Sequence, residues 1–159
     1  MPTLHKRSYK ECTTLCYIER DGQYLVMLRN RKEEDENSGK YIGIGGHVEA
    51  GETPAECVKR EALEETGLTL EQVRYRGLIT FVFEDKDELA FLYTCDVFHG
   101  EVIADCGEGD LVWVDKEALP NLPVWEGDRI FLSRLNQSEE PFDLKLVYDG
   151  DRLVTHSWN

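Results

Sequence analysis

One stretch, residues 46–68 with the sequence GHVEAGETPAECVKREALEETGL, constrains this chain more than any other. Its second half carries the signals of a helix start. Thr53 is suited to the N-cap, Pro54 to the first helical position, and Glu56 completes a Thr-x-x-Glu capping box. A glycine follows Thr66, and glycine is the residue that most often ends a helix. The pattern therefore predicts a helix from Pro54 to Thr66.

This helix would carry an unusual group of acidic side chains. At about 100° per residue, Glu61, Glu64 and Glu65 fall within an arc of roughly 100°. Like charges three and four residues apart repel one another, so the arrangement favours a cation between them. Carboxylate oxygens on one face suit Mg²⁺ or Mn²⁺, and the neighbouring Arg60 could brace one carboxylate through a bidentate pair. The alternative is an acidic helix face that is simply solvated.

The spacing of the fixed residues in this stretch resembles a known motif. Residues 46–68 match the Nudix box, G-x5-E-x7-R-E-U-x-E-E-x-G-U with U aliphatic, at every fixed position, and Ala62 fills one U position. Outside the box, the segments Gly43–Gly46 and Trp125–Asp128, together with Glu108, resemble the MutT and MutX branch, the 8-oxo-dGTP diphosphatases.

The resemblance implies both a fold and a reaction. The fold is α/β, a Nudix-type α/β/α sandwich with a mixed β-sheet between helices, and residues 1–159 form a single Nudix hydrolase domain. The reaction is the hydrolysis of a nucleoside diphosphate linked to another group, which for a dNTP yields the monophosphate and pyrophosphate. Mg²⁺ is the expected cofactor, with Mn²⁺ as an alternative.

The resemblance also assigns roles to individual residues of the box and its surroundings. The implied metal ligands are Glu61, Glu64, Glu65, Glu108 and the carbonyl of Gly45. The implied catalytic residues are Glu64, Glu61, Glu108 and Arg60, and which carboxylate accepts the proton stays open, with Glu64 and Glu108 to be tested first. Structural support of the site is expected from Gly46, Glu52 and Gly67.

Substrate binding is expected from residues outside the box. Trp125 offers a flat face on which a base can stack, and Asp128, if it holds a proton, could read a purine edge. The remaining candidates are Ile42 for the base pocket and Arg29 and Arg31 for phosphates. Alternatively, Trp125 is a core residue at a helix start and the arginines mark a solvated strand end. Gly127 stands where the clearest relatives carry a second acidic residue, which leaves the breadth of purine recognition open.

The charge balance narrows the class of substrate. The chain has 18 Lys plus Arg and 32 Asp plus Glu, a formal net charge of -14. Such a surface repels a nucleic-acid backbone but admits a small-molecule nucleotide whose phosphates are neutralised by metal ions. No nucleic acid polymer is therefore expected as a partner. The chain is expected to be a monomer or a homodimer.

The cysteines and the apolar segments indicate the compartment. Five cysteines without a C-x-x-C pair favour free thiols in a reducing environment. The first ten residues contain no apolar signal core, and no stretch approaches 18 consecutive apolar residues. These features predict a cytoplasmic protein with no membrane association.

The rest of the chain is predicted to form strands and one further helix. Residues 1–11 are expected to be a polar arm, and residues 33–40 a charged loop. Turn and alternation signals predict a helix over Glu126–Leu135 and these strands: Thr13–Glu19, Gln23–Leu28, a run within Glu71–Glu84, Leu89–Phe98, Glu101–Ala104, Leu111–Val114, Phe142–Tyr148 and Arg152–Trp158. A turn is expected at Asp85–Glu88.

Three functions remain in competition at this point. The leading hypothesis is the removal of oxidised purine nucleoside triphosphates, chiefly 8-oxo-dGTP. The enzymatic alternative is another Nudix substrate: an ordinary dNTP, a nucleotide sugar, ADP-ribose or an RNA 5′ end. The third hypothesis is a non-catalytic nucleotide-sensing domain, which the complete set of box carboxylates disfavours.

Overall fold

The computed structural model describes residues 9–30, 36–104 and 106–159. Its two α-helices are α1 (Pro54–Thr66) and α2 (Glu126–Leu135), and a short 3₁₀ helix covers Leu119–Asn121. The strands are β1 (Tyr9–Arg20), β2 (Gln23–Leu28), β3 (Tyr41–Ile42), β4 (Thr69–Val82), β5 (Lys86–His99), β6 (Asp110–Asp115), β7 (Phe142–Asp149) and β8 (Arg152–Trp158).

These eight strands form one mixed sheet. Its order is β3-β2-β1-β5-β4-β7-β8, and β6 pairs with β2. The β1–β5 and β4–β7 pairs are parallel, whereas the other pairs are antiparallel. The predicted mixed sheet is therefore confirmed.

Alternating side chains divide the core into two layers, one on each face of the sheet. Cys16 and Ile18 of β1 pack in the layer that receives Val58 of α1. Tyr17, which points to the opposite face, packs in the layer that receives Phe131 of α2. Because successive residues of a strand face opposite ways, one strand supplies both layers. The α/β/α sandwich expected from the resemblance is confirmed.

Both predicted helices have the expected bounds, and α1 has the expected caps. The hydroxyl of Thr53 accepts from the Glu56 amide, and the Glu56 carboxylate accepts from the Thr53 amide, which closes the capping box. Such a cap stabilises a helix by about 1 kcal/mol. Gly67 ends α1 in the left-handed region with φ 80°.

Three predictions about strands and turns are wrong in part. The polar arm predicted for residues 1–11 already belongs to β1 from residue 9, because residues 9–11 pair with the first residues of β5; residues 1–8 lie outside the described ranges. For the same reason, β5 begins at Lys86 within the predicted turn. Glu101–Ala104 is no strand. There the Ile103 amide donates to the Thr66 carbonyl at 2.9 Å, so this segment provides a hydrogen-bond donor for the last carbonyl of α1.

The prediction of free cysteines is confirmed, whereas the predicted charged loop is described only in part. All five cysteines lie within the described ranges and are free thiols. Residues 36–39 of the predicted loop form a turn, whereas residues 33–35 lie outside the described ranges.

No helix in the described part of the chain combines the length and the apolar character needed to span a bilayer.

Candidate active site

Arg60 ties α1 to the loop that precedes it. Its Nε donates to Glu52 Oε2 at 2.7 Å, and its Nη2 donates to Glu52 Oε1 at 3.0 Å. The same Nη2 donates to the His47 carbonyl at 3.2 Å, while the Glu49 amide donates to Glu52 Oε1 at 3.0 Å. The Arg60 guanidinium lowers the pKa of Glu52 to about 2, so this carboxylate stays ionised at neutral pH. The bidentate pair of Arg60 was predicted with a carboxylate of the acidic helix face, but it is formed with Glu52, which lies before the helix.

The remaining guanidinium nitrogen of Arg60 reaches two carboxylates of the acidic face. Its Nη1 lies 2.8 Å from Glu61 Oε1 and 3.4 Å from Glu64 Oε2. The Glu64 side chain is 59% exposed, whereas that of Glu61 is 17% exposed. Arg60 therefore fixes the buried member of the pair, while Glu64 projects into solvent.

The glycines before the box lie directly against the acidic helix face. The Gly45 amide donates to Glu65 Oε2 at 3.2 Å. A side chain at Gly46 would place its Cβ 2.6 Å from the Glu61 carboxyl group, so only glycine fits there without displacing that group. The Thr14 amide donates to the Gly46 carbonyl at 2.9 Å and ties this loop to β1. The role predicted for the Gly45 carbonyl stays a prediction, because the contact seen is made by the amide.

Carboxylates crowd one another around Glu65. Burial raises the pKa of Glu65 to about 8, and the neighbouring charges of Glu61 and Glu108 add to this rise. A divalent cation would relieve the repulsion, and oxygens of this kind are preferred ligands of Mg²⁺ and Mn²⁺. The chemistry of these residues fits such an ion. Within residues 9–30, 36–104 and 106–159, however, no three acidic, histidine or cysteine side chains are already gathered closely enough to hold one.

Glu108 and Arg29 meet beside this group. Glu108 lies in the loop before β6, Arg29 follows β2, and their side chains approach to 3.6 Å between Arg29 Nη1 and Glu108 Oε2. Glu108 thus lies near enough to Glu65 for its charge to act on that carboxyl, and its role as a metal ligand stays a prediction. Arg31, the other arginine predicted to bind phosphate, lies outside the described ranges.

A cavity of about 690 Å³ connects the box glycines with the start of α2. Its lining combines the predicted residues Arg29, Ile42, Gly45, Gly46, Trp125 and Asp128 with the aromatic rings of Phe81, Phe83 and Tyr148. A larger depression of about 870 Å³ lies beside the other end of α2, and no residue of the box lines it. The smaller cavity is therefore the candidate substrate site.

Trp125 stands at the N-cap position of α2 and forms one wall of this cavity. Its indole Nε1 donates to Asn37 Oδ1 at 2.7 Å, and Lys40 Nζ lies 4.6 Å from the ring centroid. The ring meets that of Tyr148 edge-to-face, with centroids 5.6 Å apart. Trp125 is half-buried and lines the cavity, and its base-stacking role stays a prediction.

Among the described residues that line the cavity, Asp128 carries the one buried carboxyl group. Its residue is 6% exposed, and burial raises its pKa to about 7, against the opposing charge of Arg129. At neutral pH the group therefore exists in both protonation states. This is the physical condition under which a carboxyl can either donate to a base or accept from it.

Several residues of the cavity were missed or left unassigned by the sequence analysis. The rings of Phe83 and Tyr148 stack with centroids 5.8 Å apart, and Glu88 and Lys86 also line the cavity. Alternation in β7 buries Phe142, Leu144, Leu146 and Tyr148 on one face. Tyr148 is the only one of these four with a polar group. A hydroxyl on an otherwise apolar strand face was the sequence feature that could have indicated a cavity residue.

The geometry agrees with what sequence and structure comparisons find. The family model described as NUDIX domain matches residues 11–135. The oxidized purine nucleoside triphosphate hydrolase of Danio rerio is 30% identical over 145 residues, which cover 90% of each chain. The crystal structure of the mutator MutT protein from Bacillus halodurans has a TM-score of 0.84 at 27% identity and covers 94% of this chain and 97% of its own.

A relative with a different substrate is also similar. The NAD-capped RNA hydrolase NudC of Haemophilus influenzae is 31% identical over 114 residues, which are 70% of this chain but 42% of NudC. The residues matched by the family model, 11–135, include the box and both helices described above. On the family match, which spans most of its length, this chain belongs to the Nudix family of hydrolases.

Proposed function

We propose that this chain hydrolyses nucleoside triphosphates to monophosphates and pyrophosphate in a reaction that depends on Mg²⁺, with Mn²⁺ as a substitute. We further propose that its substrates are oxidised purine dNTPs, chiefly 8-oxo-dGTP. One observation carries this proposal. A single cavity is lined both by the glycines that touch Glu61 and Glu65 and by Trp125 and Asp128. A nucleotide in it would meet carboxylates at its phosphates and an aromatic wall at its base.

The proposed metal site uses the acidic face of α1. Nudix hydrolases generally use divalent metals, and Glu61, Glu64, Glu65 and Glu108 would hold them here, with the Gly45 carbonyl as a further ligand. When bound, such ions neutralise phosphate charge and lower the pKa of the attacking water. Arg60 would keep Glu61 oriented, because it already holds that carboxylate at 2.8 Å.

The proton of the attacking water needs an acceptor among the same residues. Glu64 is the first candidate because its carboxylate is the most exposed of the three on α1 and reaches solvent. Glu108, beside Arg29, is the second. The chosen carboxylate accepts the proton while the water oxygen bonds to phosphorus and the bridging P–O bond breaks in line. Arg29, and Arg31 from outside the described ranges, would bind the phosphates.

The base would bind at the far end of the cavity. Trp125 supplies a wall for stacking, Ile42 supplies apolar contact, and Asp128 supplies a carboxyl whose pKa near 7 lets it donate or accept. The Danio rerio relative, named for oxidised purine nucleoside triphosphates, supports this choice of substrate.

Other Nudix substrates are the main alternative, and the similarity to NudC points to NAD-capped RNA as one of them. That relative is named for the hydrolysis of NAD-capped RNA. Ordinary dNTPs, nucleotide sugars, ADP-ribose and RNA 5′ ends are the other alternative substrates to be tested. The net charge of -14 favours a small nucleotide over a nucleic-acid polymer. We also propose that residues 1–159 act as one domain, as a monomer or homodimer, in the cytoplasm.

The decisive experiment compares pyrophosphate release from 8-oxo-dGTP and dGTP, with Mg²⁺ and with EDTA. Metal-dependent turnover that strongly favours 8-oxo-dGTP is the expected result. Equal rates would replace the proposal by a general nucleotide pyrophosphohydrolase. No release from either substrate, with turnover of NAD-capped RNA or ADP-ribose, would move the assignment to that substrate. Tight nucleotide binding without turnover at any metal concentration would indicate a sensing domain.

A further inference from the structure

Tyr148 occupies a central position in the wall of the proposed base pocket. It lies near the end of β7 and is 4% exposed. Its ring stacks on Phe83 with centroids 5.8 Å apart and meets Trp125 edge-to-face at 5.6 Å. Two aromatic neighbours therefore fix the orientation of the phenol, and its hydroxyl is held at the start of α2.

The hydroxyl of Tyr148 fills the space beside Gly127. The Gly127 amide donates to the Tyr148 hydroxyl oxygen at 2.8 Å. A Cβ at position 127 would lie 2.5 Å from that oxygen and 2.6 Å from Cδ1 of Leu146. No side chain fits at this position unless Tyr148 moves. The absence of a second acidic residue here thus has a physical cause, since a phenol hydroxyl occupies its place.

The hydroxyl retains a proton that it can donate. Its oxygen already accepts from Gly127, and within the described residues no acceptor lies within hydrogen-bond distance of its O–H group. Burial, and then the nearby charge of Asp128, raise the pKa of Tyr148 well above its ordinary value. The group therefore stays protonated across the physiological range. Tyr148 and Asp128 both line the cavity, so we place the missing acceptor on a ligand bound beside them.

We propose that the Tyr148 hydroxyl donates a hydrogen bond to the substrate base and thereby selects purines that carry a carbonyl, rather than an amino group, at position 6 of the ring. The inference rests on the proposed function and deepens it. A carbonyl oxygen accepts from Tyr148, and the ring N–H next to it can donate to Asp128. An amino group at the same place would face the Tyr148 O–H group, so two hydrogen-bond donors would meet and neither would have an acceptor.

The matched substrates dITP and dATP differ at position 6, a carbonyl against an amino group, and at the adjacent ring nitrogen, which carries a proton only in dITP. Wild-type protein is expected to have the higher kcat/KM for dITP. Tyr148→Phe keeps the ring and removes the hydroxyl, so the ratio of the two kcat/KM values should fall by roughly 5- to 10-fold. Tyr75→Phe, at an exposed tyrosine outside the cavity, should leave that ratio unchanged. A purely structural role of Tyr148 would lower both activities equally, and an unchanged ratio in Tyr148→Phe overturns the inference.

A second variant and a second readout separate this inference from the proposed function. Gly127→Ala displaces the hydroxyl while keeping Tyr148, and it should lower the same ratio. Calorimetric binding of dIMP and dAMP reports on the pocket without turnover. If no nucleoside triphosphate is hydrolysed, 8-oxo-dGTP included, the proposed function fails; tighter binding of dIMP that is lost in Tyr148→Phe would still support the inference. Equal affinities of the wild-type protein for dIMP and dAMP overturn it.

Discussion

Arg60 and Glu52 form a two-pronged ion pair, with Nε–Oε2 at 2.7 Å and Nη2–Oε1 at 3.0 Å. The pair spans the turn between the box loop and α1, because Glu52 lies before the helix and Arg60 lies in its middle. Only the planar guanidinium fork matches both carboxylate oxygens at once. The orientation of the acidic helix face therefore depends on an arginine at this position.

Arg60→Lys should preserve the charge but lose the fork. We expect the metal concentration for half-maximal activity to rise by roughly 10- to 100-fold, as when residues that orient metal ligands are changed. Mg²⁺ titration of nucleotide hydrolysis measures this, and circular dichroism checks that α1 is intact. Lys59→Arg, one residue earlier on the exposed side of the helix, is the matched control. Unaltered metal dependence in Arg60→Lys would contradict the orienting role.

Glu64→Gln tests whether Glu64 accepts the proton of the attacking water. If Glu64 accepts the proton, kcat should fall by roughly 10²- to 10⁴-fold with little change in KM. Rapid-quench or steady-state pyrophosphate assays measure this loss. Glu140→Gln, at an exposed residue between α2 and β7, should have wild-type activity. Near-normal kcat in Glu64→Gln would transfer the role to Glu108, for which the same substitution is the next test.

Trp125→Ala should weaken nucleotide binding and spare the metal site. Loss of one stacking surface is worth about 1–3 kcal/mol, or roughly 5- to 150-fold in affinity. Calorimetry with nucleotide, and separately with Mn²⁺, gives the two affinities. Trp158→Ala removes an exposed tryptophan from β8, far along the sheet from the box, and serves as control. Equal losses of nucleotide and Mn²⁺ affinity in Trp125→Ala would contradict a base-stacking role.

Asp128→Asn should make the protein more stable at alkaline pH. The wild-type carboxyl has its pKa raised to about 7 when folded but titrates near ~3.9 when unfolded. Between these values the unfolded state releases a proton that the folded state keeps, so the free energy of unfolding falls as pH rises from about 4 to 7. The asparagine does not titrate and avoids this loss of unfolding free energy, which is at most about 4 kcal/mol above pH 7.

Urea unfolding at pH 4.5 and pH 8 measures the difference between the wild-type protein and Asp128→Asn at each pH. The gain in stability should be larger at pH 8 than at pH 4.5. Asp151→Asn, in the exposed turn between β7 and β8, provides the comparison because its surroundings are solvent. A gain that is the same at both pH values would show that Asp128 does not hold a raised pKa.

Local signals were sufficient for the helices. The capping box, Pro54 and Gly67 lie within or beside α1, so short-range hydrogen bonds and backbone preferences fix both of its ends. The spacing of Glu61, Glu64 and Glu65 likewise determines that they share one face, because the helical repeat alone places them there. These features are properties of the sequence.

Long-range pairing decided what the sequence left open. Residues 9–11 are strand because β5 lies beside them, and Glu101–Ala104 is not strand because the Thr66 carbonyl at the end of α1 takes the Ile103 amide. No local pattern distinguishes these outcomes, because each depends on a partner far along the chain. The contact between Glu108 and Arg29 arises in the same way.

The cavity proposed to bind the base shows most clearly which features come from the sequence and which from the tertiary structure. Sequence alone determined the family motif, the acidic helix face, and Trp125 and Asp128 as candidates for base recognition. Only the tertiary structure brought Tyr148 against Gly127 and Trp125, since β7 must pair with β4 before its last buried side chain can reach the start of α2. The physical reason is that the residues of a motif are close in sequence, so local structure alone positions them. The side chains that line a pocket come from distant strands and meet only when those strands pair in the correct register.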